Sequence, residues 1–217
     1  MSTELNNGKG RCQCTARLLI EPVQAVIELG AGQDVMAKAL NAVHHANRHG
    51  SVDDFIAVAL PGMKMGRNCM QPGHEIELFG SDASLASFLA LEGPASLVRR
   101  GMIGTPEIEE AFMDPGMPGA AYMRDRSCEK QTPGWIRRSK ARAARRGKPV
   151  GRAASVRGND LSALALHYGD AVVHVRQVRA DISDAPVYVS TYGFSRKDAP
   201  AVLPVTPALA EEAFDAA

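Results

Sequence analysis

Between residues 15 and 103 the hydrophobic period switches repeatedly between two and about 3.6, and glycine or proline marks most of the switches. Residues 15–21 (TARLLIE) read as a strand. Gly30 and Gly32 then break the chain, and Asp34 is suited to cap a helix running to about Arg48 and closed by Gly50. Val35, Met36, Ala39, Leu40, Val43 and Ala46 share one face of that helix. Residues 54–60 (DFIAVAL) form a second strand, stopped by Pro61-Gly62. Residues 74–79 (HEIELF) alternate as a half-buried strand does. Asp82 begins a helix bearing Leu85, Phe88, Leu89 and Leu91, and residues 96–100 continue it toward a weak strand near Met102 and Ile103.

The order is β-α-β-β-α-β, the ferredoxin-like plan, in which two helices cover one face of a four-stranded sheet. Length fits one large domain or two of about 100 residues. The expected fold class is α+β, with a ferredoxin-like domain over residues 1–112 and a smaller C-terminal domain over 113–217. Residues 113–119 (MDPGMPG) read as the linker, and the first dozen residues as a loose polar lead. In the last third, residues 161–168 and 171–178 flank Gly169-Asp170 as a hairpin. Residues 186–192 are a further strand, ended by Gly193, and residues 208–214 a short acidic helix. RNA-recognition domains often use the ferredoxin-like plan with aromatics on the open sheet face. Here six Phe, four Tyr and one Trp form no cluster on the expected strands, so base stacking on the sheet is not expected.

Charge is distributed very unevenly. The chain has 25 basic and 24 acidic residues, and residues 131–159 hold nine of the basic ones and none of the acidic. Without those nine, 16 basic residues face 24 acidic ones, a balance of −8. Such concentration is the footprint of a polyanion site, nucleic acid first among them, although many charge runs are only solvated surface. Pro133-Gly134 is suited to start a helix over about 134–147, and Gly147 and Pro149 to end it. Arg138, Arg142 and Arg145 then lie on one face, Arg146 beside them, with Arg137 and Lys140 to one side. An arginine-faced helix of three turns lies along a duplex groove and reaches phosphates on both walls. Alone it repels itself, so ordering on RNA is expected.

Several function classes are disfavoured. No apolar run approaches the roughly 20 residues of a membrane span, and residues 1–14 lack the apolar core of a secretion signal. Cys12, Cys14, Cys69 and Cys128 have no zinc spacing, and reduced thiols in a cytoplasmic protein are expected. His44, His45 and His49 share the first helix, His45 and His49 at metal-compatible spacing, but no third ligand is in view. No metal and no cofactor are expected. His44 sits at the edge of the apolar face, where a histidine is more often structural than a base. His74, His167 and His174 read as ordinary strand residues.

Read together, four stretches resemble the repeat-processing CRISPR endoribonuclease of type I-F systems and its type IV relatives. One is Val43-His44-His45-Ala46, where the family has an apolar residue, its catalytic histidine, a polar residue and alanine. Another is the arginine-rich helix after Pro133, through Ile136-Arg137-Arg138. A third is the strand–glycine pattern over 164–169, preceded at a matching distance by Ser155. The last is Thr191-Tyr192-Gly193-Phe194-Ser195-Arg196, similar to the family's Tyr-Gly-Leu-Ser-Lys. The resemblance runs in order over residues 15–205. Each motif is short, and specificity lies in their combination.

The resemblance implies that His44 is the general base, Tyr192 the tyrosine near the cleaved linkage, and Ser155 the serine that holds the ribose. It implies that Arg126 contacts the base of an RNA hairpin, and that Arg137, Arg138, Lys140, Arg142, Arg145 and Arg146 lie in its groove. Departures are a longer N-terminus, no clear aromatic after the serine, and a second histidine, His45, which would be the working residue were the helix rotated. The implied reaction needs no metal. The RNA's own 2′-hydroxyl attacks phosphorus, leaving a 2′,3′-cyclic phosphate and a 5′-hydroxyl. Histidine, with an ordinary pKa of about 6.5, suits the base. The implied partners are a repeat hairpin of CRISPR RNA, kept after a single turnover, and other subunits of an effector complex. Two other classes fit the same residues: a non-catalytic subunit capping a guide RNA, and a general RNA- or ribosome-binding protein.

Overall fold

A computed structural model of the chain describes residue 6 and residues 8–67, 70–125, 133–147, 163–168, 171–196 and 199–205. In chain order the first elements are β1 (Lys9–Cys12), β2 (Ala16–Ile20), α1 (Gln24–Glu28), α2 (Gly32–His49) and β3 (Ala57–Ala59). Next come β4 (Lys64–Met65), β5 (Met70–Gln71), β6 (Ile76–Gly80), α3 (Asp82–Leu89), α4 (Glu92–Arg99) and β7 (Ile108–Glu110). The remainder are β8 (Pro118–Arg124), α5 (Pro133–Arg145), β9 (Leu164–Tyr168), β10 (Ala171–Asp181), β11 (Val187–Ser190) and β12 (Val202–Pro204). The class is α+β with antiparallel sheets. No described helix is long and apolar enough to cross a membrane.

One four-stranded sheet has the order β3-β6-β2-β7, every pair antiparallel. Leu18 is the pivot, opposite Leu78 on one side and Ile108 on the other. β2 alternates, with Ala16, Leu18 and Ile20 buried and Leu19 exposed, because one of its faces looks outward. β6 is buried along its whole length, as a strand covered on both faces must be. Residues α2, α3 and α4 pack together as one layer. The second four-stranded sheet has the order β12-β8-β10-β9. Its hairpin pairs Val172 with His167 and Val175 with Leu164.

The two halves of the chain share one buried cluster, which includes Leu18, Leu40 and Val58 together with Leu166, Val175 and Phe194. β1 pairs with β11, joining the start of the chain to its last third. Tyr122 of β8 reaches the backbone of Leu60 just after β3, and burial pushes its phenol up to about 12. Gln177 donates to that same oxygen at 3.2 Å. The face of β6 that carries Glu77 is therefore enclosed: Glu77 is 4% exposed and accepts from Arg17 at 3.4 Å.

Local chemistry sets the element ends. Ser81 caps α3 reciprocally, accepting from the Ser84 amide at 3.1 Å while its own amide donates to Ser84 Oγ at 3.0 Å. α2 begins at Gly32, two residues before Asp34, because the turn after α1 already supplies the Ala31 carbonyl to the Asp34 amide. Asp34 thus sits inside the first turn, where its charge favours the helix dipole. The loose lead expected for the first dozen residues is instead the strand β1 from Lys9 onward. The strand expected near Met102 is a single bridge from Ile103 to Pro22, and the edge strand is β7. The linker expected over 113–119 ends in β8, which begins at Pro118. His74 precedes β6 rather than lying in it. The helix expected over 208–214 lies outside the described residues.

Asn47 holds α2 to the chain entering β3. Its Nδ2 donates to Ile56 O at 2.9 Å, and its Oδ1 accepts from Ile56 N at 2.8 Å, all buried. Asn47→Ala removes the partners of the buried amide and carbonyl of Ile56, and each unsatisfied group costs about 1–3 kcal/mol. Equilibrium urea unfolding should show a stability loss in that range with an unchanged slope. A loss below about 0.5 kcal/mol, the size of an ordinary surface substitution, would contradict this role.

Candidate functional site

The strand β11 ends at Ser190, and the chain reverses through a short loop. Ser190 O accepts from Gly193 N at 2.8 Å, and Ser190 N donates to Phe194 O at 2.9 Å. Gly193 has φ +78°. A three-residue hairpin loop closed by a left-handed glycine is a common solution to such a reversal. Here the glycine is needed twice. A Cβ at this position would lie 2.4 Å from Val58 Cγ2 and 3.2 Å from Val43 Cγ1. Gly193 O accepts from Val58 N at 2.9 Å, so the loop docks on β3 by its backbone. Phe194 is fully buried behind it, and both the amide and the hydroxyl of Ser195 donate to Tyr122 O on β8, at 2.9 and 3.1 Å.

That docking brings the loop against α2 at His44. The rings of His44 and Tyr192 stack with centroids 4.2 Å apart and planes 12° from parallel. His44 Nδ1 is 3.2 Å from Thr191 O. A peptide carbonyl only accepts, so Nδ1 carries the hydrogen, and in the neutral ring the lone pair is on Nε2. The half-buried His44 is pushed below the ordinary histidine range, first by burial, with the nearby charges of Arg48, Arg124 and His45 acting in the same direction. The Thr191 hydrogen bond opposes this shift. A neutral imidazole with a fixed tautomer and an open nitrogen is a proton acceptor. Arg124, the last residue of β8, places its guanidinium carbon 4.7 Å from the centroid of the Tyr192 ring.

The other residues expected to act are placed as follows. His45 is exposed and stacks on His49 with centroids 4.3 Å apart, away from the Tyr192 contact. Arg137, Arg138, Lys140, Arg142, Arg145 and Arg146 are all exposed on α5 or just beyond it. Ser155 and Arg126 lie outside the described residues. Among the described residues no three His, Cys, Asp or Glu side chains gather as a metal site. Cys12 and Cys14 are free, buried and 3.2 Å apart at sulfur. The hydrogen bond from Cys14 to Cys12, and then burial, push the Cys14 thiol far up, which makes it a poor nucleophile.

Arg124 and Arg48 were not among the residues singled out from sequence. Arg48 is four residues after His44, so its place on the same side of α2 was readable from spacing. Arg124 had no such signal, because its nearness to Tyr192 depends on β8 lying beside Ser195. No protein-family model and no curated protein sequence matches the chain.

The lowered proton affinity of His44 has a defined sign. The unfolded chain takes up a proton near pH 6.5, whereas the folded site stays neutral to lower pH. Stability linked to His44 is therefore complete above that pH and falls as pH drops toward the native midpoint. Proton-detected NMR of the imidazole nitrogens should give a His44 midpoint below 6.5 and hydrogen on Nδ1 in the neutral form. A midpoint at or above 6.5, or hydrogen on Nε2, would contradict the site described here.

Proposed function

We propose that the protein is a metal-independent endoribonuclease that binds a repeat hairpin of precursor CRISPR RNA and cuts it through the RNA's own 2′-hydroxyl. The observation that carries this reading is His44, held as a neutral Nδ1–H tautomer by Thr191 and stacked on Tyr192 at 4.2 Å. Nε2 takes the proton from the 2′-hydroxyl, the 2′-oxygen bonds to phosphorus, and the bond to the 5′-oxygen breaks. The products are a 2′,3′-cyclic phosphate and a 5′-oxygen that gains a proton from water. General-base help of this kind supplies about 10²–10⁴-fold, and positioning of the sugar supplies more. Tyr192 stands beside the cut linkage, and Ser155 holds the ribose.

Four further features support the reading. The sheet order β7-β2-β6-β3, all antiparallel with α2 in the first crossover and α3 and α4 in the second, is what a ferredoxin-like domain requires. The enclosed face of β6 leaves little sheet surface for bases, so RNA must be held elsewhere. α5 offers six exposed cations at or near one helix, suited to the phosphates of a duplex groove. The motifs containing His44 and Tyr192 are far apart in sequence and meet in space, as the resemblance to the type I-F processing enzyme requires. Arg126 contacts the hairpin base, the cut product stays bound, and the protein serves in the cytoplasm as a subunit of an effector complex.

A hairpin repeat RNA with a single 2′-deoxy sugar at the cut site tests the chemistry apart from binding. It should bind with the affinity of the all-ribose RNA and remain uncut. Cutting of the deoxy RNA would overturn the mechanism. Binding of both RNAs without cleavage of either would point instead to a subunit that caps a guide RNA.

A further inference from the structure

Two arginines outside the arginine-rich helix act electrostatically on His44. Arg124 lies over the Tyr192 ring at 4.7 Å. Arg48 is one helical turn beyond His44 on the same side of α2, about 6 Å along the axis. Its Nε is shielded from solvent and has no hydrogen-bond acceptor among the described residues. A buried charged donor without an acceptor is unfavourable, so the half-buried Arg48 side chain gains by turning toward an anion at the site. The charges of both arginines are felt at the His44 ring.

We propose that Arg48 and Arg124 form a two-guanidinium clamp that takes an RNA phosphodiester beside His44. The proposal rests on the nuclease reading for its chemistry and on the geometry above for its location. Planar guanidinium groups match the non-bridging oxygens of a phosphate in direction as well as charge. As the 2′-oxygen bonds to phosphorus those oxygens gain negative charge, and fixed donors aimed at them lower the barrier. The clamp moves no proton. It has a second effect on the base. With the site empty, two positive charges disfavour protonation of His44. A bound phosphate offsets those charges, so the ring becomes a stronger base when substrate is in place.

The test uses the full chain with two probes. The first is inorganic phosphate, followed by the NMR midpoint of His44 and the Nε–H signals of the arginines. The second is single-turnover cleavage of a hairpin repeat RNA. In the wild type, phosphate should raise the His44 midpoint and shift two arginine signals. Arg48→Ala and Arg124→Ala should each lose that response and cut about 10²-fold more slowly. Their affinity for the hairpin should change less than about threefold, because duplex binding draws on many cations. Arg48→Lys and Arg124→Lys keep the charge and much of the packing, and should recover part of the rate. Melting curves identify any variant that has not folded, and the lysine variants then carry the comparison. Absence of any phosphate response in the wild type, or alanine variants that cut as fast as the wild type, would overturn the clamp. A phosphate response that needs both arginines, in a protein that cuts no RNA, would uphold the clamp as a phosphodiester site and overturn the nuclease reading.

Discussion

Everything at the site depends on one backbone contact, the hydrogen bond from Val58 N to Gly193 O at 2.9 Å. It draws the loop after β11 onto β3, close enough that only a residue without Cβ fits between Val58 and Val43. The same contact ties the two halves of the chain, since β3 belongs to one sheet while Ser195 hangs from Tyr122 of the other. Thr191 and Tyr192, as the middle of that loop, have little freedom once its ends are fixed. One carbonyl then sets the His44 tautomer, and one ring sets its tilt. Precision at His44 is thus a consequence of packing rather than of a network of side-chain bonds.

The site is partly withdrawn from water without being sealed. Half-burial of His44 is enough to disfavour its charged form, and nearby guanidinium groups add to this. The six cations at α5, by contrast, are exposed. On the proposed nuclease reading these are two separate tasks: an exposed basic helix for long-range attraction and contact with many phosphates, and a half-buried histidine as a neutral base. An enzyme acting on a polyanion gains from that separation, because a base surrounded by many cations would hold its proton too weakly to be useful at neutral pH.

What could be read from the sequence follows from how local each feature is. α2 was legible because Val35, Met36, Ala39, Leu40 and Val43 repeat at the helical period and are buried for that reason. α5 was legible from its cations and its flanking Pro133 and Gly147. β1 was missed because only Gly10 and Cys12 point inward, and it is a strand by virtue of pairing with β11. β7 was misplaced because Glu109 and Glu110 carry no apolar signal, and Glu109 is held by Arg17 at 2.7 Å instead. The first two residues of β8 fall in the expected linker because of Pro118-Gly119, yet Gly119 is where β12 crowds in, with Leu203 O 2.6 Å from any Cβ. At the site, His44 and Tyr192 were named through their motifs. Tyr192 was read as the end of a strand, whereas the strand stops at Ser190 and the ring belongs to the loop. Arg124 was out of reach because its role depends on tertiary placement alone.

The central claim is that His44 acts as the base in a reaction that uses no metal. The most direct measurement is end-group analysis after purified protein meets a labelled hairpin repeat RNA in EDTA, with His44→Ala in parallel. The account predicts a single cut by the wild type ending in a 2′,3′-cyclic phosphate, and a rate about 10²–10⁴-fold lower for the variant. Equal cutting by both proteins, or cutting that EDTA abolishes, would contradict it.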